Sequence, residues 1–272
     1  MADTGSTESW SKAASSESTA CVNPIRALAD LDVYKANPEK NVLRLNIGDP
    51  GYFGNLPPAA EAVQAISDAL VSGKHNGYAP TSGSPIAKQA VADKFSYAHN
   101  PITADDVYIT VGCSQAMEFT VTSLCNPGTN ILLARPGYPL YRTFCDSRGV
   151  EYRLFNLLPD RSWEVDIEQM ESMINEKTRL IVLVNPSNPC GSSYSKEHLR
   201  QILDVAERHH LPILSDEVYG DVVYNGGEFY PLASLTSTVP VLTCRSLAKK
   251  YLAPGWRLGW LIVYDQHHRL DT

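Results

Sequence analysis

From residue 106 to residue 264 the chain alternates between short apolar runs and longer segments that are polar on one side. Nearly continuous apolar runs are typical of strands that are buried on both faces of a sheet. Amphipathic segments of about ten to fifteen residues are typical of the helices that connect such strands. The predicted strands are 106–112, 130–136, 150–157, 179–185, 211–219, 240–245 and 257–264, and the predicted helices are 114–125, 138–149, 166–176 and 195–210.

This alternation predicts an α/β fold with a mostly parallel sheet and helices on both faces. In sheets of this kind, ligands bind beyond the carboxyl ends of the strands. The residues with useful chemistry near or just after the carboxyl ends of predicted strands are Gly112, Cys113, Ser114, Tyr138, Asn188, Asp216, Tyr219, Ser246 and Lys249. We therefore expect these residues to form one site at one edge of the sheet.

In the first hundred residues the pattern of apolar and polar positions is less regular. Residues 1–20 are rich in Ser and Thr, carry acidic residues, and contain neither an arginine nor an apolar centre. This composition predicts a disordered tail instead of a secretion or import signal. A short strand within 42–57 and helices at 58–71 and 85–97 follow the tail.

The composition of the chain disfavours several classes of protein. Charged residues make up 19% of the chain and the net charge is -7, so there is no basic surface of the kind that binds nucleic acid. No apolar run approaches the roughly 20 residues that span a bilayer. The six cysteines form no CxxC pair, which predicts neither a disulfide framework nor a metal site. Because free thiols suit a reducing compartment, we expect a cytoplasmic protein.

The stretch SLAKKYLAPGWRLGW, residues 246–260, contains two adjacent lysines, Lys249 and Lys250. No GxGxxG follows a predicted strand and no GxxxxGK[ST] is present, which disfavours dinucleotide and P-loop sites. An apolar setting lowers the pKa of a lysine, and its amine can then attack an aldehyde to form a Schiff base. A solvated loop before a Pro-Gly turn is the alternative interpretation of these lysines.

This stretch resembles the lysine signature of the class I aminotransferases, the fold type I enzymes that use pyridoxal 5'-phosphate. The segments NIGDP, NGYAP, GCSQA, RPGYPLY, NPSNPCG and SDEVYGD occur in the order in which that family has them, and the resemblance covers about residues 23–264. It implies that residues 76–272 form the large, cofactor-binding domain of that fold. It also implies that residues 21–75 form an N-terminal arm and part of a small domain.

The resemblance implies transamination of tyrosine or another aromatic amino acid, with a 2-oxo acid such as 2-oxoglutarate as acceptor. An alanine-type aminotransferase and a carbon–sulfur lyase on the same scaffold are alternatives. The family's chain continues further, into a segment that carries an arginine for the substrate carboxylate. We therefore expect a fragment with an incomplete small domain and an uncovered sheet face, for which an inactive or regulatory role is the third alternative.

The spacing of the lysine signature distinguishes the two lysines. Lys249 lies three residues after Ser246 and eight before Arg257, as in the family pattern. The resemblance implies that Lys249 binds the cofactor aldehyde and moves the substrate proton, whereas Lys250 is solvated. Asp216 would keep the cofactor's ring nitrogen protonated; the alternatives for Asp216 are a helix cap or a carboxylate facing water.

The resemblance also implies where the cofactor phosphate binds. GCSQA joins a strand to a helix, so the backbone amides of Cys113 and Ser114 would donate from a helix N-terminus to the phosphate. Ser246 and Arg257 would complete this binding site, Arg257 as a bidentate donor.

Five further residues have roles that the resemblance alone implies. Tyr219 and Asn188 would donate to the ring oxygen, and Tyr138 would stack on the ring. Tyr78 would reach the cofactor phosphate of a neighbouring subunit, which implies a homodimer. Gly48 would offer its amide to the substrate carboxylate. Packing tyrosines and simple turn residues are the alternatives for all five.

Overall fold

The computed structural model describes residues 14–25, 37–41, 48–224 and 226–271. Within these residues the strands are β1 (Val107–Val111), β2 (Asn130–Arg135), β3 (Glu151–Leu158), β4 (Glu164–Val165), β5 (Thr178–Val184), β6 (Ile213–Asp216), β7 (Val241–Ser246) and β8 (Leu258–Tyr264). They form one sheet in the order β1-β8-β7-β6-β5-β2-β3-β4. All the strands predicted after residue 105 are present, and the two-residue strand β4 was too short to predict.

The sheet is mostly parallel, as predicted. The neighbours β7, β6, β5, β2 and β3 all run in one direction. Strand β8 is antiparallel to both β7 and β1, and β4 is antiparallel to β3. The chain reverses before β8 because residues 247–257, which connect β7 to β8, are too few for the crossover helix that parallel strands need.

The described helices are α1 (Ser16–Ala20), α2 (Ala60–Ser72), α3 (Pro85–Phe95), α4 (Gly112–Leu124), α5 (Leu140–Asp146), α6 (Ile167–Ser172) and α7 (Lys196–Arg208). Helix α7 shows why these segments fold locally. The Ser195 hydroxyl accepts a hydrogen bond from the backbone N–H of His198 at 3.2 Å, which caps the first turn. The buried residues of α7 then recur at helical spacing along one face.

Two apolar clusters lie on opposite faces of the sheet. Alternate residues of β5 enter different clusters: Ile181 and Leu183 pack into one, and Leu180 and Val182 into the other. This follows from the two-residue period of side chains along a strand. Helices α3 and α7 cover the first face, and α4 and α5 cover the second. The prediction of helices on both faces is therefore confirmed.

The expectation of an uncovered face beside the last strand is wrong for β8. Its residues Trp260, Leu261 and Ile262 are buried, because α4 contacts one face of β8 and Phe95 packs near Trp260 on the other. Exposed apolar side chains occur instead on α2, which buries no residue within the described part of the chain. Among the described residues, no helix has the length and apolar character to cross a membrane.

The N-terminal predictions are only partly within the described residues. In the region predicted as a disordered tail, residues 14–20 are described, and Ser16–Ala20 form the exposed helix α1. The Ser15 hydroxyl accepts a hydrogen bond from the Ser18 backbone at 3.0 Å and so caps this helix. Residues 42–47 of the predicted first strand lie outside the described residues, and residues 50–56 form turns.

Candidate active site

The ends of the central strands meet the N-terminus of α4 at one edge of the sheet. Asp216, the last residue of β6, pairs with Cys244 of β7, and Ser246 at the end of β7 pairs with Gly259 of β8. A Cβ atom on Gly259 would lie 2.5 Å from the carbonyl carbon of Gly112, so these two backbones are in contact. The carboxyl ends of β6 and β7 and the start of α4 therefore lie close together, as expected for a site at the strand ends.

The close contact between β8 and α4 makes Gly259 intolerant of a side chain. We expect Gly259→Ala to lower the free energy of unfolding by about 2–3 kcal/mol, because the new methyl group would force the start of α4 away from the sheet. Gly255→Ala is the matched control, since a Cβ there meets nothing within 4 Å, and it should change stability by less than about 0.5 kcal/mol. Urea denaturation of both variants measures the difference, and equal stabilities would contradict the close contact.

The Asp216 carboxylate is almost completely buried, with 2% of its surface exposed. The Tyr141 hydroxyl donates to its Oδ2 at 3.1 Å, and the Val218 backbone N–H donates to its Oδ1 at 3.2 Å. Burial raises its pKa to about 6 in spite of these bonds, because both donors are uncharged and the carboxylate has lost its water. A cationic N–H donor at this position would stabilise the ionised form.

Tyr141 is a site residue that the sequence analysis did not identify. It lies on α5, three residues after Tyr138, and it is fully buried. The two tyrosine rings meet edge to face with their centroids 6.3 Å apart. Both tyrosines occur in RPGYPLY, and their three-residue spacing within the predicted helix 138–149 was the available signal, although α5 itself begins at Leu140.

The raised pKa of Asp216 has a measurable consequence for stability. Its folded pKa of about 6 exceeds the ordinary 3.8, so its stabilising contribution is fully present below about pH 3.8 and is lost as pH rises through about 6. The loss should reach about 3 kcal/mol. We expect the unfolding free energy of the cofactor-free protein, relative to Asp216→Asn, to fall by that amount between pH 3 and pH 8. A difference that stays constant with pH would contradict the raised pKa.

The N-terminus of α4 and the neighbouring Arg257 side chain form a cradle that could hold an anion. Among the described residues, no side chain caps this helix, so its first amides are available to a ligand. The Arg257 guanidinium lies against it: Nη2 donates to the Val111 carbonyl at 3.3 Å and Nη1 to the Pro254 carbonyl at 2.9 Å. An open cavity of about 660 Å³ adjoins this cradle and is lined in part by Ser114, Tyr138 and Arg257.

The side chains of the adjacent residues Lys249 and Lys250 contact different groups. The Lys249 amine donates to the Gly48 carbonyl at 2.9 Å and lies 5.6 Å from the centroid of the Tyr219 ring. Burial lowers its pKa, and the Asp49 charge only partly opposes this effect. The Lys250 ammonium pairs with Asp221 at 2.8 Å, and this bond raises its pKa. Lys250 is thus exposed, as expected, but it is also held by a carboxylate.

The tyrosines Tyr138 and Tyr219 lie near the buried acid. Burial raises the pKa of both phenols, and the Asp216 charge raises each of them further. The Arg257 charge lowers the pKa of Tyr138, which links that residue to the cradle on α4. Ser246 is buried at the end of β7, and its hydroxyl accepts a hydrogen bond from the Ala248 backbone at 3.2 Å.

Three expected residues have a weaker connection to the site. Asn188 is half-buried in the loop after β5, and within the described residues its side chain has no hydrogen-bond partner. Tyr78 is fully exposed between α2 and α3. The Gly48 carbonyl oxygen accepts a hydrogen bond from the Lys249 amine. The expected contact was a different one, between the Gly48 amide and the substrate carboxylate.

The Cys113 and Cys244 sulfur atoms and an Asp216 oxygen lie within 4.8 Å of one another. This is the spacing of a potential metal site, although no metal site was expected from the sequence. Burial raises the pKa of Cys244 far above its ordinary value. The Cys244 thiol is a hydrogen-bond partner of the Asp216 carboxyl, so this cluster forms part of the surroundings of that carboxyl.

Known proteins resemble this chain in sequence and in fold. The family model described as "Aminotransferase class I and II" matches residues 40–270. The chain is 51% identical to tyrosine aminotransferase from Mus musculus over 257 residues. This alignment covers 94% of the chain but only 57% of the mouse protein, so the chain spans little more than half the length of that relative.

Two solved structures resemble the fold closely. Tyrosine aminotransferase from Leishmania infantum superposes with a TM-score of 0.85 at 37% identity, over 93% of this chain and 67% of that one. Alanine aminotransferase from Pyrococcus furiosus superposes with a TM-score of 0.87 at 31% identity, over 95% of this chain and 65% of that one.

Proposed function

The chain belongs to the class I and II aminotransferases, and from this premise we propose that it binds pyridoxal 5'-phosphate at the strand-end site. We propose further that the whole protein transfers the amino group of tyrosine, or of another aromatic amino acid, to a 2-oxo acid such as 2-oxoglutarate. The similarity to the mouse and Leishmania tyrosine aminotransferases supports this substrate class.

The observation that carries the proposal is the Asp216 carboxyl, which is buried beside uncharged donors and has a pKa of about 6. A protonated pyridine nitrogen is a cationic donor of the kind that this carboxyl lacks. A second feature of the residues fits the same cofactor, because the uncapped start of α4 and Arg257 suit a phosphate dianion.

The proposed cofactor contacts follow from these positions. The amides of Cys113 and Ser114, the Ser246 hydroxyl and the Arg257 guanidinium would bind the phosphate. Tyr138 would lie against the ring, since its phenol is close to both Asp216 and Arg257. Tyr219 and Asn188 would donate to the ring oxygen.

The cofactor, when bound, supplies an aldehyde that captures amines and a ring that accepts the electrons left on the substrate α carbon. Lys249 would be both the covalent attachment point and the base. Its burial lowers its pKa, so its Nζ can be neutral and remove the proton from the substrate α carbon. Asp216, as the ionised partner, would hold the proton on the ring nitrogen. The Gly48 amide would contact the substrate carboxylate.

The assembly and location are part of the same proposal. The protein would act as a homodimer in which the fully exposed Tyr78 reaches the cofactor phosphate of the partner subunit. Residues 76–272 would form the cofactor-binding domain, and residues 21–75 the arm and part of the small domain. A cytoplasmic location is supported by the cysteines, all of which are free thiols.

An alanine-type aminotransferase is the second candidate, favoured by the superposition on the Pyrococcus furiosus enzyme. The test loads the purified chain with pyridoxal 5'-phosphate and adds L-tyrosine or L-alanine without an acceptor. We expect 2-oxo acid formation and loss of the visible absorption band with L-tyrosine. A response to L-alanine alone would favour the second candidate, and binding without reaction would favour an inactive or regulatory chain. Failure to bind the cofactor would overturn the proposal.

A further inference from the structure

A buried ion pair lies on the opposite face of the sheet from the candidate site. Arg245 and Glu217 are 5% and 2% exposed, and Arg245 donates to Glu217 Oε2 from Nη2 at 2.6 Å and from Nε at 3.1 Å. The guanidinium also lies over the rings of Phe95 at 4.6 Å and Phe229 at 5.3 Å. Both charges are therefore held in fixed positions.

This ion pair continues to the surface through Asp221. Arg245 Nη1 donates to Asp221 Oδ2 at 3.4 Å, and the Lys250 ammonium donates to Asp221 Oδ1 at 2.8 Å. The buried end is anchored on Glu217, whose Oε1 accepts bonds from the Ser215 hydroxyl at 3.0 Å and from the Leu232 backbone at 2.9 Å. We call the four residues Glu217, Arg245, Asp221 and Lys250 the ion network.

Members of the ion network are sequence neighbours of site residues. Glu217 follows Asp216, Arg245 precedes Ser246, and Lys250 follows Lys249. Arg245 and Ser246 are successive residues of β7, whose side chains alternate between the faces of the sheet. Glu217 directly follows β6, and Lys249 and Lys250 lie in the turn after β7. The network and the site therefore share the same backbone segments. The network can therefore orient the site without touching a ligand.

We infer that the ion network is a positioning device for Lys249. Asp221, held in place by Arg245, binds the Lys250 ammonium and so anchors the turn after β7 with the Lys249 amine directed towards Tyr219. Lys250 and Asp221 are then positioning residues, and the distinction between the two lysines depends on the carboxylate that only one of them contacts. This inference rests on the proposed function only in taking Lys249 as the reactive amine.

The charges around the two lysines are consistent with this arrangement. Lys249 faces Tyr219 and is influenced by the more distant charge of Asp49. Lys250 faces Asp221, with Lys94 and Tyr251 nearby. If the turn loses its anchor, Lys249 gains access to water and its pKa should rise towards the ordinary lysine value.

The test measures Lys249 reactivity in the cofactor-free protein. Acetic anhydride labels neutral amines, and mass spectrometry of the Lys249 peptide at a series of pH values gives the titration midpoint. We expect Lys250→Met and Asp221→Asn to raise this midpoint, so that labelling of Lys249 at pH 8 slows by about threefold to tenfold, because the neutral fraction changes tenfold per pKa unit. Lys250→Arg should retain the original midpoint, since it keeps the ion pair.

The matched control is Glu171→Gln, which breaks a surface ion pair with Arg208 elsewhere on the molecule and should leave the Lys249 midpoint unchanged. Thermal unfolding checks that each variant folds. Unchanged midpoints in both folded variants, Lys250→Met and Asp221→Asn, would overturn the inference. Because the labelling uses no cofactor, this outcome is distinguishable from a failure of pyridoxal phosphate binding, which would overturn the proposed function instead.

Discussion

Lys249→Ala is expected to abolish the borohydride-stable attachment of pyridoxal 5'-phosphate to this chain. Among the described lysines, Lys249 combines a lowered pKa with a position beside Tyr219 in the candidate site. The variant should also lack the visible absorption band of the bound cofactor. Any proton removal from the substrate α carbon should slow by at least about 10²–10⁴-fold, the usual contribution of a positioned base.

The control for the cofactor-attachment experiment replaces a lysine that is exposed and remote from the site. Lys177→Ala meets this description and should attach the cofactor like the original chain. Lys249→Ala itself should fold normally, because within the described residues the half-buried side chain makes one hydrogen bond, to Gly48. Its stability should therefore change by no more than about 1 kcal/mol. A folded Lys249→Ala variant that still retains the reduced cofactor would refute the assignment.

Arg257→Ala is expected to weaken the binding of pyridoxal 5'-phosphate by about 10²–10³-fold, because two charge-assisted hydrogen bonds to a phosphate are lost. Its guanidinium is in contact with Gly112 at the start of α4, and a Cβ on that glycine would lie 2.5 Å from Nη2. Arg257→Lys should have an intermediate effect, since the ammonium keeps the charge but not the forked geometry. Equilibrium titration followed by absorbance measures the affinities.

Pyridoxal, which lacks the phosphate, provides the control for Arg257. The same titration with pyridoxal should give equal affinities for the original chain and for Arg257→Ala, because the aldehyde and the ring nitrogen have other partners. An equal loss of affinity for both ligands would mean that Arg257 supports the fold of the site and does not bind the phosphate.

Much of the fold was predictable because its strands are buried on both faces. In the predicted strand 179–185 the five residues 180–184 are all apolar, and the prediction matched β5 (Thr178–Val184) to within one residue. The direction of β8 was not predictable from such runs, because the same apolar pattern serves a parallel or an antiparallel strand. The direction of β8 depends on the length of the connection from β7, and the apolar pattern of the strands carries no information about that length.

The site residues were predictable where a reactive side chain lies at the end of a strand. Asp216 and Ser246 are the last residues of β6 and β7, whereas the predicted strands were 211–219 and 240–245. The motif spacing predicted different roles for Lys249 and Lys250. Tyr141 was missed because a buried tyrosine resembles any core aromatic residue until its hydroxyl partner is known. The ion network was missed for a related reason: Asp221 and Arg245 are 24 positions apart, and only the folded sheet brings them together.

The central claim is that Lys249 is the covalent attachment point for pyridoxal 5'-phosphate. The most direct test treats the original chain with the cofactor, reduces it with borohydride, digests it and maps the modified peptide by mass spectrometry. The result expected is a single stoichiometric modification at Lys249. Modification at Lys250, or a low level spread over exposed lysines, would contradict the claim.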